Sequence, residues 1–144
     1  MLPLLTRIDH VGIACRDLNM AMELYQATFG LKVVTVETHE AQGVREAMLA
    51  VTEGALEPGY IQLLEPLGPD TPVGKFLARR GEGIHHIGYG VADIGEALSA
   101  LGATGVRLID ERPRHGSMGA SIAFLHPADL GGVLTELVQS VTAT

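Results

Sequence analysis

The segment HHIGYGVADI (residues 85–94) repeats the pattern of DHVGIACRDL (residues 9–18) from the first half of the chain. His86 falls on His10 at an offset of 76 residues, and a glycine and an aspartate follow each histidine at the same spacing. An internal repeat that spans about half of a chain indicates a duplicated structural unit. We therefore expect two similar halves.

Each half is predicted to contain a strand, then a helix that begins after a capping aspartate, then three further strands. Gly30 and Gly102 follow the two predicted helices and are suited to end them, because glycine adopts the left-handed conformation without steric cost. The first half is predicted to have a strand at 7–15, a helix at 18–29 and strands at 32–38, 44–51 and 59–65. The second is predicted to have a strand at 84–92, a helix at 94–102 and strands at 106–111, 120–126 and 132–139, after a connecting helix at 73–80.

This order of elements predicts an α+β fold of two tandem βαβββ modules, whose paired four-stranded sheets enclose a cleft. We expect a single domain over residues 1–144, with module one at 7–66, a connector at 67–82 and module two at 83–140. The length supports this expectation, since 144 residues are too few for two independent cores of ordinary size.

The two adjacent histidines in the second copy are expected to have different roles, because neighbouring side chains of a strand point to opposite faces. His86 shares its face with Gly88 and Gly90, which are small and leave room for a ligand. His85 shares its face with apolar residues that are expected to pack on the helices. His86 and its counterpart His10 are therefore the candidate functional residues.

The last strand of each half adds a polar residue within an apolar run: Gln62 in GYIQLLEPL and Glu136 in GVLTELVQS. Their offset is 74 residues, nearly that of the histidines. Burial of these groups without partners is costly, and a shared cation would remove that cost. Two imidazoles, a carboxylate and an amide oxygen suit a divalent transition metal. The alternative is that Gln62 and Glu136 bond to edge backbone or to solvent.

Composition and net charge argue against several classes of function. The net charge of −7 disfavours nucleic acid and anionic membranes as partners. No apolar run approaches the roughly 18 residues that a membrane span requires. Cys15 is the only cysteine, so an internal disulfide is impossible. A reducing compartment, and hence a cytoplasmic location, is expected.

The duplicated pattern resembles the vicinal oxygen chelate superfamily, which includes glyoxalase I, extradiol dioxygenases and the bleomycin- and fosfomycin-resistance proteins. Within that superfamily, segments spread over about residues 7–139 resemble the methylmalonyl-CoA epimerase family. These segments are IDHVGIACRDL, ELYQATFGL, AQGVREAML, YIQLLEPL, GEGIHHIGYGVADI, RHGSMGASIAFLHP and GGVLTELVQ.

The resemblance implies a metal-dependent isomerase of propionyl-CoA metabolism that interconverts (2R)- and (2S)-methylmalonyl-CoA by removing the C2 proton. The family's metal ligands correspond to His10, Gln62, His86 and Glu136. Cobalt is the first expectation, with manganese, nickel or zinc as alternatives, and a homodimer is implied because dimers are common in the superfamily.

The family's general base corresponds to Glu46, in GVREAM. Glu46 shares a side of its strand with Met48 and Ala50, and we expect this apolar setting to raise its pKa toward neutrality. The acid that returns a proton to the opposite face of C2 is either Glu136 or a bound water.

The segment DERPRHGSMG (residues 110–119) is a candidate substrate-binding loop. Arginines and backbone N–H groups are suited to hold the phosphates of CoA or the substrate carboxylate. The alternative is an ordinary solvated surface. The predicted substrate-binding residues are Arg112, Arg114, Ser117, Met118 and Gly119.

Two other functions remain open at this point. One is a different metal enzyme of the superfamily, such as a glyoxalase I-like isomerase or an extradiol dioxygenase. The other is a non-catalytic binding protein of the resistance type. The filled set of four ligand positions disfavours the binding protein, and Gln62 as a fourth ligand disfavours the dioxygenase, whose iron is held by two histidines and a glutamate.

Overall fold

The computed structural model describes residues 4–51 and 59–141. The described residues divide into two units. The first unit spans His10–His85, and the second unit combines the start of the chain, up to Asp9, with the part from His86 onward.

The first unit contains a four-stranded arrangement in the order β2-β3-β4-β1. Strand β1 pairs with β4 in parallel, whereas β3 pairs with both β2 and β4 in antiparallel fashion. The elements that contribute to this unit are β1 (Leu5–Ala14), α1 (Leu18–Phe29), β2 (Lys32–His39), a 3-10 turn (Glu40–Gln42), β3 (Val44–Ala50), β4 (Tyr60–Pro66) and α2 (Pro72–Arg80).

The second unit contains four strands in the order β5-β8-β7-β6. Strand β5 pairs with β8 in parallel, and β7 pairs with β8 and β6 in antiparallel fashion. Its elements are β5 (Gly83–Val91), α3 (Ile94–Ala103), β6 (Arg114–His115), a 3-10 turn (Ser117–Gly119), β7 (Ser121–Leu125), a second 3-10 turn (Pro127–Asp129) and β8 (Thr135–Gln139). Among the helices that the structure describes, none is both long and apolar enough to cross a bilayer.

Helix α1 begins as the sequence predicts, at an aspartate cap. The Asp17 side chain accepts a hydrogen bond of 3.0 Å from the backbone N–H of Met20, and removal of such a cap costs about 1 kcal/mol. Gly30 ends the helix in the left-handed conformation, with φ 69°. The apolar face of the helix covers a buried cluster of Cys15, Leu18, Ala47, Leu49 and Leu63.

Helix α3 repeats this arrangement at its own start. Asp93 accepts from the N–H of Glu96 at 2.9 Å. The helix packs on a second core of Val91, Ile94, Ala97, Leu98, Ala123, Leu125 and Leu137.

A side chain from the last strand supports each of these helix starts. Glu65 Oε2 accepts from the N–H of Leu18 at 2.7 Å, and Gln139 Oε1 accepts from the N–H of Ile94 at 2.9 Å. The first four N–H groups of a helix have no partner within the helix, so these bonds fix where each helix begins. In both halves, therefore, a side chain of the last strand accepts a hydrogen bond from the first residue of the helix.

The predicted strand at 106–111 is wrong. That segment makes only an isolated bridge, between Leu108 and Leu125, and the edge strand is the two-residue β6. The physical reason is that the N–H groups of Ile109 and Asp110 both donate to the carbonyl of Phe124, which interrupts a regular strand ladder. Arg107 pairs with Asp129, and Asp110 accepts from the N–H of Phe124 at 2.9 Å.

The predicted C-terminal cap of α3 is also wrong. Gly102 lies inside the helix, Thr104 is the capping residue in the right-handed conformation, and the left-handed glycine is Gly105, with φ 90°. The Thr104 hydroxyl donates to the carbonyl of Leu101 at 2.7 Å, which extends the last turn past Gly102.

The Arg107–Asp129 pair gives a testable dependence on pH. Hydrogen bonds from the guanidinium and from the backbone N–H of Arg107 lower the pKa of Asp129 from 3.8 to about 2. A lowered carboxyl pKa adds stability that is full above about pH 4 and is lost as the pH falls through about 2. In Arg107→Gln, we expect carboxyl NMR to show Asp129 titrating at a higher pKa than in the wild type, because the guanidinium is lost while the backbone N–H remains. An unchanged titration would contradict this pairing.

Candidate functional site

The second unit brings His86 and Glu136 together on one face of its strands. Gly88 on β5 is the register partner of Glu136 on β8, so His86, two residues before Gly88, lies on the same side. His86 Nε2 is 3.7 Å from Glu136 Oε1, and the two side chains are only 2% and 5% exposed.

This distance is slightly longer than the distance between two ligands of one ion. Metal–nitrogen and metal–oxygen bonds of about 2.1 Å place neighbouring ligands roughly 3.0–3.5 Å apart. The pair is too long for a direct hydrogen bond. A buried imidazole and a buried carboxylate are a donor set that suits a divalent cation.

Phe124 orients the His86 ring. The two rings meet edge to face, with centroids 5.3 Å apart and an interplanar angle of 82°. Phe124 is the register partner of Glu136 on β7, so one aromatic side chain lies beside both candidate ligands.

The first unit carries the equivalent pair, His10 and Gln62. Both residues are buried, with 4% and 5% of their surface exposed. Gly12 on β1 is the register partner of Gln62 on β4, so His10 and Gln62 share a face. The alternation of faces predicted from the repeat therefore holds in each unit taken separately.

Glu46 lies beside Gln62 and beside a histidine that the sequence analysis did not select. Gln62 Nε2 donates to Glu46 Oε2, and His39 Nε2 is 2.7 Å from Glu46 Oε1. The Glu46 side chain is 3% exposed. The setting expected for Glu46 is apolar, but polar groups also contact it, because the pairing of β2 with β3 brings His39 to the carboxylate.

His85 has the structural role that alternation predicts. Its ring packs edge to face on Phe76 of α2, with centroids 5.0 Å apart. Phe76 in turn packs against the buried cluster that contains Ala14, Val44 and Leu77. The two adjacent histidines therefore have different surroundings.

The space predicted beside Gly90 is filled by protein. A Cβ at Gly90 would lie 2.8 Å from Cζ of Arg7, so the guanidinium lies directly over this glycine. Arg7 also donates to Asp9 Oδ1 at 2.7 Å and to the hydroxyl of Ser140. Gly90 thus accommodates an arginine and does not leave room for a ligand.

Comparison with known proteins gives the same family for nearly the whole chain. Residues 9–124 match the Glyoxalase/Bleomycin resistance protein/Dioxygenase superfamily. The chain is 38% identical over 134 residues to a protein of Dictyostelium discoideum named mitochondrial methylmalonyl-CoA epimerase, covering 92% of this chain and 78% of that protein.

Solved structures agree with the sequence match. A methylmalonyl-CoA epimerase in complex with methylmalonyl-CoA and NH4+ is 52% identical, with a TM-score of 0.91 and 96% of each chain covered. A variant of the Streptomyces coelicolor methylmalonyl-CoA epimerase in complex with 2-nitronate-propionyl-CoA is 51% identical, with a TM-score of 0.91 over 96% of this chain and 99% of that chain.

The chain belongs to the methylmalonyl-CoA epimerase family. The predicted α+β fold of the vicinal oxygen chelate superfamily is confirmed by the match to these epimerase structures. The family assignment also agrees with the segments from which the resemblance was inferred.

In this family member, the predicted substrate-binding segment is a turn with a strained residue. Ser117–Gly119 form a 3-10 turn in which Met118 has φ 54°. A left-handed conformation is unfavourable for a residue with a side chain, and such strain is common where backbone meets a ligand. The exposed Gly119 follows at φ 72°.

The two arginines of that segment are both exposed. Arg114 lies over the ring of Phe124, with Cζ 6.0 Å from the centroid, and its Nε is 3.1 Å from Asp110 Oδ1. Arg114 therefore has a defined position next to the residue that orients His86, whereas Arg112 lies on the surface.

Cys15 is held as a neutral thiol in this epimerase family member. Burial, with a smaller contribution from nearby Glu65, raises the pKa of the thiol to about 12. The thiolate is the form that attacks substrates and binds metals, and it is negligible at neutral pH. Cys15 is a buried apolar side chain, as expected.

Proposed function

We propose that the protein catalyses the interconversion of (2R)- and (2S)-methylmalonyl-CoA with the help of a bound divalent metal ion. The observation that carries this proposal is the 52% identity to an epimerase whose structure holds methylmalonyl-CoA. The buried His86–Glu136 pair supports the metal. No comparable observation favours a glyoxalase-type, dioxygenase or resistance-type function.

We propose that His10 and Gln62 of the first unit and His86 and Glu136 of the second unit bind this ion jointly. The repeat supports the set, because the two pairs occupy matching strands in matching order. Burial supports it as well, since His10, His86 and Glu136 are buried and each offers one ligand atom. Because Gln62 Nε2 donates to Glu46, the amide oxygen is turned away from Glu46 and is the atom suited to a cation.

The bound ion would supply Lewis-acid chemistry, stabilising the negative charge that develops on the thioester oxygen. Glu46 takes the proton from C2 of the substrate. Its side chain is 3% exposed and is contacted by Gln62 and by His39, so the carboxylate has a defined position. The group that serves the opposite face of C2 is Glu136 or a water molecule.

The substrate thioester carries the negative phosphates of CoA. We propose that Arg112 and Arg114, with the backbone N–H groups of Ser117, Met118 and Gly119, hold these phosphates or the substrate carboxylate. Arg114 is the better placed of the two arginines, because its contact with Phe124 holds it beside the candidate metal pair.

We also propose a cobalt ion in preference to manganese, nickel or zinc, a homodimer, and a cytoplasmic protein of propionyl-CoA metabolism. The donor set of two imidazoles, a carboxylate and an amide supports a transition metal. The single, buried cysteine supports a reducing compartment.

One experiment tests the proposed function. The protein is stripped with a chelator, reloaded separately with cobalt, manganese, nickel or zinc or left without metal, and incubated with one epimer of methylmalonyl-CoA in deuterated water. We expect deuterium at C2 and the appearance of the other epimer in the cobalt-loaded sample and not in the sample without metal. No exchange with any of the four metals, together with turnover of a glutathione hemithioacetal, would overturn the proposal in favour of a glyoxalase.

A further inference from the structure

His39 is a half-buried polar contact of the proposed base, and the reaction scheme gives it no role. Its Nε2 lies 2.7 Å from Glu46 Oε1 and 3.6 Å from Glu37 Oε1. Exposure rises along this row of side chains, from 3% for Glu46 to 18% for His39 and 31% for Glu37. This close approach pairs the imidazole of His39 with the carboxylate of Glu46 at Oε1.

Strand pairing fixes the place of His39. Glu37 is the register partner of Glu46, and His39 is the register partner of Val44 at the end of the β2–β3 hairpin. Side chains diagonal to each other on one face of a strand pair are within reach. Thr35 Oγ1 donates to Glu37 Oε2 at 2.8 Å, which holds the outer carboxylate in place.

The turn at the end of the β2–β3 hairpin packs against Thr71. Gly43 adopts a left-handed conformation, with φ 70°, and a Cβ there would lie 2.5 Å from the Thr71 methyl group. Thr71 is the capping residue of α2 and accepts from the N–H of Gly74 at 3.1 Å. The turn that follows His39 therefore abuts the start of a helix.

We infer that His39 is a positioning residue that fixes the carboxylate of Glu46 for proton transfer at C2. Glu46 is held at both oxygens, by His39 at Oε1 and by Gln62 at Oε2. With one of these contacts removed, the carboxylate is free to rotate about its last bond and loses its alignment with the C2 hydrogen. This inference rests on the proposed function, because it assigns His39 a role in that reaction.

The test compares His39→Leu with His39→Gln, whose amide N–H reaches a similar position, and with Thr38→Ala, an exposed neighbour on the opposite face of β2. Misplaced catalytic groups cost on the order of 100-fold, so we expect His39→Leu to lower kcat roughly 10- to 100-fold, with KM changed less than about threefold. His39→Gln is expected to recover most of this loss, and Thr38→Ala to match the wild type.

Repeating the His39→Leu substitution in the Glu46→Gln variant distinguishes positioning of Glu46 from a general loss of structure. In Glu46→Gln, the further change His39→Leu is expected to slow C2 deuterium exchange by less than about threefold, because residues that act through one another are non-additive. An equal loss in both backgrounds, or no loss in His39→Leu alone, would overturn the inference while leaving an active wild type, and hence the proposed function, intact. An inactive wild type would overturn both.

Discussion

Replacing His86 by alanine is expected to abolish binding of the divalent cation, whereas replacing His85 leaves it intact. His86 faces Glu136 at 3.7 Å with 2% of its side chain exposed, while His85 packs on the Phe76 ring. Loss of partners that only orient a ligand weakens metal binding roughly 10- to 100-fold, so loss of a ligand is expected to exceed that range. Calorimetric titration with cobalt measures the metal affinity of both variants.

His85→Ala is the matched control for this prediction, since it removes the same side chain one residue away on the same strand. Circular dichroism of both variants confirms that each is folded. Equal weakening of cobalt binding in the two variants would show that the faces of β5 are wrongly assigned. Unchanged binding in His86→Ala would remove this residue from the metal site.

Replacing Glu46 by glutamine is expected to slow exchange of the C2 hydrogen by about 10²- to 10⁴-fold, the usual contribution of a general base. The carboxamide has nearly the size of the carboxylate but does not accept the proton. Cobalt affinity is expected to change little, because Glu46 contacts Gln62 through the amide nitrogen and leaves the amide oxygen to the ion. Deuterium incorporation followed by NMR gives the rate, and cobalt titration gives the affinity.

The two measurements together decide what Glu46 does. Exchange at the wild-type rate would exclude Glu46 as the base. Loss of exchange together with loss of cobalt would show that Glu46 acts by supporting Gln62. Arg45→Gln is a suitable control, because Arg45 is adjacent on β3 and points to the opposite face.

The faces of the functional strands were predictable from the sequence, because side chains alternate and because the repeat fixes which histidine corresponds to which. His86 and His10 follow from that register alone. The helix starts at Asp17 and Asp93 were predictable for a similar reason, since a cap is a local interaction between residues three apart.

Contacts made by tertiary structure were not predictable in the same way. The segment before β6 has a strand-like pattern, but Arg107 and Asp110 bond to groups more than ten residues away in sequence. Likewise, nothing local in the sequence near Gly90 indicates that the Arg7 side chain lies over it.

His39 is the residue that sequence reasoning missed although an indication was present. It has no counterpart in the repeat, so the repeat did not select it. Counting back from the hairpin turn at Gly43 pairs His39 with Val44 and Glu37 with Glu46, which places a histidine diagonal to the proposed base. A register shift between Val33 and Thr35 limits that count to the last part of the hairpin.

A crystal structure of the cobalt-loaded protein, with the metal located by its anomalous scattering, tests the central claim most directly. We expect one cobalt ion within about 2.3 Å of side-chain atoms from all four residues His10, Gln62, His86 and Glu136. A cobalt ion bound elsewhere, or four side chains that do not surround a common centre, would contradict the account.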